Sequence, residues 1–273
     1  MLLRHARSLL FLPASNQRAI EKSRGLPCDM VMLDLEDAVA DDRKDEARSG
    51  ALAATAQGGF GERLVSVRIN TAETQWYQGD LTAASAIKAD YVILPKVEGP
   101  GQVAAVHDAT GKAVIAMIET ARGVFAAQAI AAEQGTAALF VGTNDLRRDL
   151  GVPATAPRSS MVSALQMIVM AARASGRAVF DGVYNRLDDV PGFEEDCRAG
   201  QQLGFDGKTL IHPNQVDVAN RIFGPDEQAL ADAQRLVDAA TGGAERFEGA
   251  MIETMHVEAA KALIERGRQH AND

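Results

Sequence analysis

Two acids in this sequence stand where chemistry could be done. Glu119 closes the apolar run "AVIAMI", and Asp145 follows "AALFVG" through "GTND". If those runs are neighbouring parallel strands, their axes lie about 4.8 Å apart. Two carboxylates converging across that gap repel unless a cation sits between them. Oxygen donors with no Cys and no second His nearby suit Mg2+, with water and substrate completing the octahedron. The plainer alternative is two solvated loop acids.

A second acidic group ends another run. "VMLDLEDAVADD" puts Asp34, Glu36 and Asp37 into four residues, and burying packed like charges is expensive. Arg68, in "SVRIN", offers either a bidentate fork for a substrate carboxylate or a salt bridge to Asp34 or Glu36. The two are compatible, because an arginine fixed by structural acids is preorganised. In that arrangement the three acids anchor Arg68, accept hydrogen bonds from metal-bound water and strengthen the field at the cation. Asp41, Asp42, Asp45 and Glu46 read instead as a solvated loop and the acidic first turn of a helix.

Further polar residues sit at the ends of other runs: Ser15, Asn16, Asn70, Lys96, Asp181 and His212. His212 is a candidate base or a core histidine. Arg18, Lys22 and Arg24 make a basic patch beside the first run, either a phosphate dock or a solvated helix face.

These residues need a scaffold that brings run ends together. Eight apolar runs, "SLLFLPA", "DMVMLDL", "RLVSVRI", "DYVILP", "AVIAMI", "AALFVG", "RAVFDG" and "KTLIHP", alternate with amphipathic segments such as 44–57 and 160–176. Repeated strand and helix means parallel pairing with helices outside, and eight units predict an α/β fold, a (β/α)8 TIM barrel over residues 1–224. The rival is an open doubly wound sheet, but no GxGxxG follows any run. Residues 225–273 are expected to form a C-terminal helical extension: a helix over 226–240, a Gly-rich connection over 241–254 and a helix over 255–268. It packs on its own barrel or reaches over a neighbouring subunit.

The composition, 47% hydrophobic and 24% charged in 273 residues, is globular, and the net charge of -9 argues against nucleic acid or an anionic membrane as partner. Cys28 and Cys197 lie in no CxxC. They read as ordinary thiols of a reducing compartment, so the expected location is cytoplasmic. No apolar run approaches the ~18 residues of a membrane span, and "SLLFLPA" is read as a buried strand rather than a signal peptide.

The motifs "RSLLFLPASNQRAIEK", "LDLEDAVADDRKDEAR", "VRIN", "LPKVE", "IETARG", "GTNDL", "DGKTLIHPNQ" and "GAMIE", in this order, resemble the citrate lyase beta-subunit-like group of the HpcH/HpaI aldolase superfamily, which includes malyl-CoA and citramalyl-CoA lyases. The resemblance implies a Mg2+-dependent barrel acting on a carbon–carbon bond next to an acyl thioester. By that resemblance Glu119 and Asp145 are the metal ligands. Arg68 holds the substrate's carboxylate or carbonyl end, and Phe11 and Lys22 contact coenzyme A. Glu36 and Asp37 are acids around the metal. It also implies a homotrimer or hexamer, with the tail over a neighbour's site. Two positions depart from the pattern. Asn16 stands where the CoA lyases carry an Arg, with Arg18 two residues on. Glu253, in "GAMIETMHV", replaces the tail's proton-transferring Asp.

The expected function is therefore a Mg2+-dependent lyase cleaving or forming a short carboxylated 3-hydroxyacyl-CoA, such as malyl-CoA or citramalyl-CoA, to an acyl-CoA and a 2-oxo acid. The alternatives are thioester hydrolysis on the same site, aldol chemistry on free acids, and a citrate-lyase-type subunit whose substrate rides on an acyl carrier protein.

Overall fold

The structure, a computed structural model, describes residues 1–270. Eight parallel strands close into one barrel in sequence order. They are β1 (Ser8–Pro13), β2 (Met30–Asp34), β3 (Leu64–Arg68), β4 (Tyr91–Leu94), β5 (Ala113–Ile118), β6 (Thr136–Val141), β7 (Ala178–Asp181) and β8 (Gly207–Leu210). The helices around and below them are α1 (Gln17–Ser23), α2 (Lys44–Gln57), α3 (Tyr77–Ala86), α4 (Pro100–Thr110), α5 (Ala121–Ala132), α6 (Thr143–Asp149), α7 (Val162–Ala174), α8 (Val190–Leu203), α9 (Val216–Phe223), α10 (Glu227–Ala239) and α11 (Thr254–His270). All eight runs read from the sequence are strands, and the helix over 44–57 coincides with α2. The run ends are shared by every strand because parallel strands all finish at one face.

The two faces of each strand serve two cores, as the period of two requires. Leu9, Met30, Met32, Ile93, Ile115, Met117, Phe140 and Phe180 fill the barrel. Their neighbours Leu10, Val31, Leu33, Val67, Val92, Val114, Leu139 and Val179 meet the helices. Continued by steps of two toward the mouth, the inward series arrives at Phe11 on β1, Asp34 on β2, Arg68 on β3 and Glu119 beyond β5. The pleat thus delivers polar side chains to the mouth on top of an apolar plug.

The Gly-rich connection is not irregular. It contains a two-stranded antiparallel hairpin, β9 (Glu245–Phe247) and β10 (Ala250–Ile252), turned through Glu248 and Gly249. Its strands are three residues long and mostly exposed, so they leave almost no hydrophobic alternation to read. The extension sits beneath the barrel: Arg266 on α11 donates to the carbonyl of Asp206, which precedes β8 at the N-terminal end of the strands. The last three residues of the expected extension lie outside the described ones. Among the described residues no helix is long and apolar enough to cross a membrane. Cys28 and Cys197 are free and buried.

Candidate active site

The acidic end of β2 is a scaffold for Arg68. Asp34 and Arg68 are paired across β2 and β3, and both point inward. Arg68 Nε and Nη2 donate to the two oxygens of Asp34 at 2.7 and 2.5 Å. The same oxygens accept from the backbone N–H groups of Glu36 and Ala38 at 2.9 and 3.0 Å. Asp34 is thus fully buried yet fully satisfied. The fork of Arg68 engages Asp34 rather than a substrate, so the salt-bridge reading of Arg68 is the one the fold adopts. Its Nη1 lies 2.8 Å from Glu36 and 3.9 Å from Asp37, and its plane sits over the Phe11 ring at 4.6 Å. Burial works against the charge of Arg68, but Asp34 and Glu36 outweigh it and hold the pKa above the usual guanidinium range.

Sequence reasoning missed how the β2–α2 loop is held. Lys44 Nζ, buried under Trp76, donates to the carbonyls of Leu35 and Glu36 and to Asn70. Asn70 and Arg48 in turn bond Asp80 on α3. A lysine one residue past an acidic run resembles an ordinary helix start, and nothing local in the sequence marks it as buried.

Glu36 and Glu119 are the acids whose burial is least compensated. Glu36 Oε2 is buried and makes no hydrogen bond, its ion pair with Arg68 being misaligned for one. Burial pushes the Glu36 carboxyl up to about 7, against the pull of Arg68 and with the push of Asp37 and Asp34. Glu119 is 2% exposed. Burial, and then the charge of Glu36, push it up to about 8, while the N–H of Lys96 and the more distant Arg68 oppose the rise and Asp145 adds to it. Gly142 permits this placement, because a Cβ there would lie 2.2 Å from Glu119 Oε2. Asp145, in the first turn of α6, is partly exposed and pairs with Arg148 at 2.8 Å. A cavity of about 290 Å3 at this mouth is lined by Phe11, Asp34, Asp37, Arg68, Glu119 and Asp145, together with Met117, Val183, Asn185 and Ile211, which sequence reading did not single out.

Other residues fall elsewhere. Asn16 caps α1, accepting from the Ala19 N–H at 3.1 Å. Arg18 and Lys22 stand exposed on α1, four residues apart and so on one face. Arg24 does not join them. It lies at the far end of α1, where it bonds Glu21 and the Gly58 carbonyl and stacks on Phe60. Asp181 is not at the mouth either: it points outward and is buried against Lys208 and Arg158. His212 is neither buried nor in the cavity; its Nδ1 accepts from the Asn214 N–H at the rim. Glu253 is exposed and absent from the cavity of its own chain. A larger cleft of about 540 Å3 opens at the opposite end of the barrel, but its arginines already hold Asp29 and backbone carbonyls.

Residues 7–213 match the HpcH/HpaI aldolase/citrate lyase family. The chain belongs to this family. It is 38% identical over 266 residues to a (3S)-malyl-CoA thioesterase of Cereibacter sphaeroides, covering 94% of this chain and 93% of that protein. It is 31% identical over 281 residues to the citrate lyase subunit beta of Haemophilus influenzae, covering 96% and 97%. Among solved structures it superposes with TM-score 0.83 and 33% identity on CitE of Mycobacterium tuberculosis in complex with magnesium, acetoacetate and coenzyme A, covering 97% of this chain and all of that one.

As a member of the HpcH/HpaI family the chain can be asked whether its own donors suit a magnesium ion. They do. Among the described residues no three His, Cys, Asp or Glu form a closed cage, and Mg2+ is commonly held by one or two carboxylates plus water and substrate oxygens. A buried acid with an oxygen that accepts no hydrogen bond, beside a second buried acid, is the environment a divalent cation relieves.

Proposed function

We propose that this HpcH/HpaI family member is a Mg2+-dependent lyase. It cleaves, or in reverse forms, the carbon–carbon bond of a short carboxylated 3-hydroxyacyl-CoA such as malyl-CoA or citramalyl-CoA, giving an acyl-CoA and a 2-oxo acid. The observation that carries this reading is the pair of buried acids, Glu36 and Glu119, both pushed toward the protonated form beneath a mouth that Asp145 and Arg68 share. Glu119 and Asp145 would hold the ion, which when bound supplies Lewis-acid polarisation and a template for the 2-oxo acid.

The chain's own residues do the rest. Arg68, fixed by Asp34 and Phe11, turns Nη1 toward Glu36 and from there offers its charge to the negative charge that develops on the substrate. Glu36 and Asp37 are the outer acids around the ion, where their negative charge favours a cation. The cavity, at about 290 Å3, suits a short acyl group, and the coenzyme is assigned to the β1–α1 side, with Phe11, which lines the cavity, and Asn16, Arg18 and Lys22, exposed at α1, as its contacts. Glu253 is the proton-transferring group and, being absent from its own cavity, acts on a neighbour's site in a homotrimer or hexamer.

Thioester hydrolysis on the same site is the second reading, favoured by the resemblance to the malyl-CoA thioesterase. Citrate lyase beta chains favour a third, a substrate carried by an acyl carrier protein. Purified protein given malyl-CoA distinguishes them. Glyoxylate as first product supports the lyase, and free malate with no oxo acid supports hydrolysis. Turnover only of carrier-bound substrate supports the third reading.

A further inference from the structure

Two non-glycine residues among those described have left-handed backbone, Lys96 at φ 51° and Glu248 at φ 45°. Glu248 precedes Gly249 in the two-residue turn of the β9–β10 hairpin, where positive φ is what such turns use. Lys96 serves no such turn. It follows Pro95 just beyond β4, and a long L side chain is held in this conformation only where its surroundings impose it.

Two successive N–H groups show what the conformation achieves. Lys96 donates to Glu119 Oε1 at 2.8 Å, and Val97 donates to the Met117 carbonyl at 3.2 Å. The chain leaves the side of β5 for one residue, uses the freed N–H to hold a side chain, and rejoins. The start of α5 closes on this excursion: a Cβ at Gly123 would lie 2.6 Å from the Val97 carbonyl. Glu119 is thus held between two backbones, the Lys96 N–H on Oε1 and Gly142 against Oε2. Among the described residues the Lys96 ammonium has no hydrogen-bond or ion-pair partner and only pulls on Glu36 from a distance, so no direct contact of its side chain explains the conformation.

We propose that Lys96 is a positioning residue whose left-handed backbone aims its N–H at Glu119. The bond fixes Oε1 and leaves Oε2, which accepts no hydrogen bond, as the oxygen presented to a cation. The inference rests on the reading of Glu119 as a metal ligand. Groups that orient a ligand in this way typically matter by about 10- to 100-fold in metal affinity. The role belongs to the backbone, so it separates from the lysine side chain by choice of substitution.

The test is Mg2+ affinity of the full chain by calorimetry, with circular dichroism to verify folding. Lys96→Gly and Lys96→Ala keep the N–H and tolerate its direction; they are expected to bind within about threefold of the parent, or more tightly for loss of a positive charge. Lys96→Val, whose branched Cβ disfavours positive φ, is expected to weaken binding at least 10-fold; Lys96→Thr replaces it if the valine variant does not fold. A β-branched variant that binds like the parent overturns the proposal, as does Lys96→Ala falling as far as Lys96→Val. Glu119→Gln serves as the reference. If it binds Mg2+ like the parent, the ligand reading itself fails, and the Lys96 role falls with it for that separate reason.

Discussion

Binding of Mg2+ to this mouth should release protons, and the number is predictable. Glu119, pushed up to about 8, keeps its proton in about nine molecules of ten at pH 7; Glu36, at about 7, keeps it in about half. A cation that needs Glu119 charged expels about 0.9 proton, and about 1.4 if Glu36 ionises with it. At pH 9 Glu119 is largely ionised already, and release falls to about 0.1. The assay is Mg2+ titration calorimetry in buffers of different ionisation enthalpy, where the slope of heat against that enthalpy is the number of protons released. A slope near zero at pH 7 would refute the reasoning, because it would mean the acids are ionised and solvated before the metal arrives. The sign extends to stability. Both pKa values are raised in the folded state, so metal-free protein loses stability as pH rises from about 4.5 through about 8, each tenfold change in proton affinity being worth about 1.4 kcal/mol. Saturating Mg2+ should flatten that decline.

Further substitutions probe the supports. Gly142→Ala places a methyl 2.2 Å from Glu119 Oε2; it should cost about 1–3 kcal/mol in chemical denaturation and weaken Mg2+ binding, and unchanged binding would show that Glu119 is not confined. Asp34→Ala strips Arg68 of its fork partner and should cost about 3–5 kcal/mol, with Asp34→Ala/Arg68→Met recovering part of the loss by thermal melts; a double variant less stable than the single one contradicts the pairing. Glu253→Ala and Glu119→Ala, each inactive alone, should regain activity when mixed and reassembled, because one mouth then receives both an intact Glu119 and a neighbour's Glu253; persistent inactivity in mixed oligomers argues against a site shared between chains.

The barrel was legible because every strand announces itself as a short apolar run, and parallel topology sends all run ends to one face. Which polar ends enter the mouth depends on parity, which the runs also carry. Asp34 and Arg68 share the inward phase of Met30 and Ser66. Asp181 follows inward Phe180 and must point out, where Lys208 neutralises it. Counting from the strand end without the phase puts Asp181 at the mouth in error. Arg24 failed for a different reason: it is the residue that ends α1, and Glu21, the Gly58 carbonyl and the Phe60 ring already hold its guanidinium. The Lys44 tether, the Lys96 excursion and the close approach of Gly142 to Glu119 are long-range contacts between segments distant in sequence. No local pattern encodes them.

The measurement closest to the central claim is turnover of malyl-CoA and citramalyl-CoA by the purified chain, followed as 2-oxo acid, with Mg2+, after EDTA, and after Mg2+ is restored. The account predicts release of glyoxylate or pyruvate that EDTA abolishes and Mg2+ returns, and its loss in Glu119→Ala. Release of oxo acid that survives EDTA, or full turnover by Glu119→Ala, would contradict it.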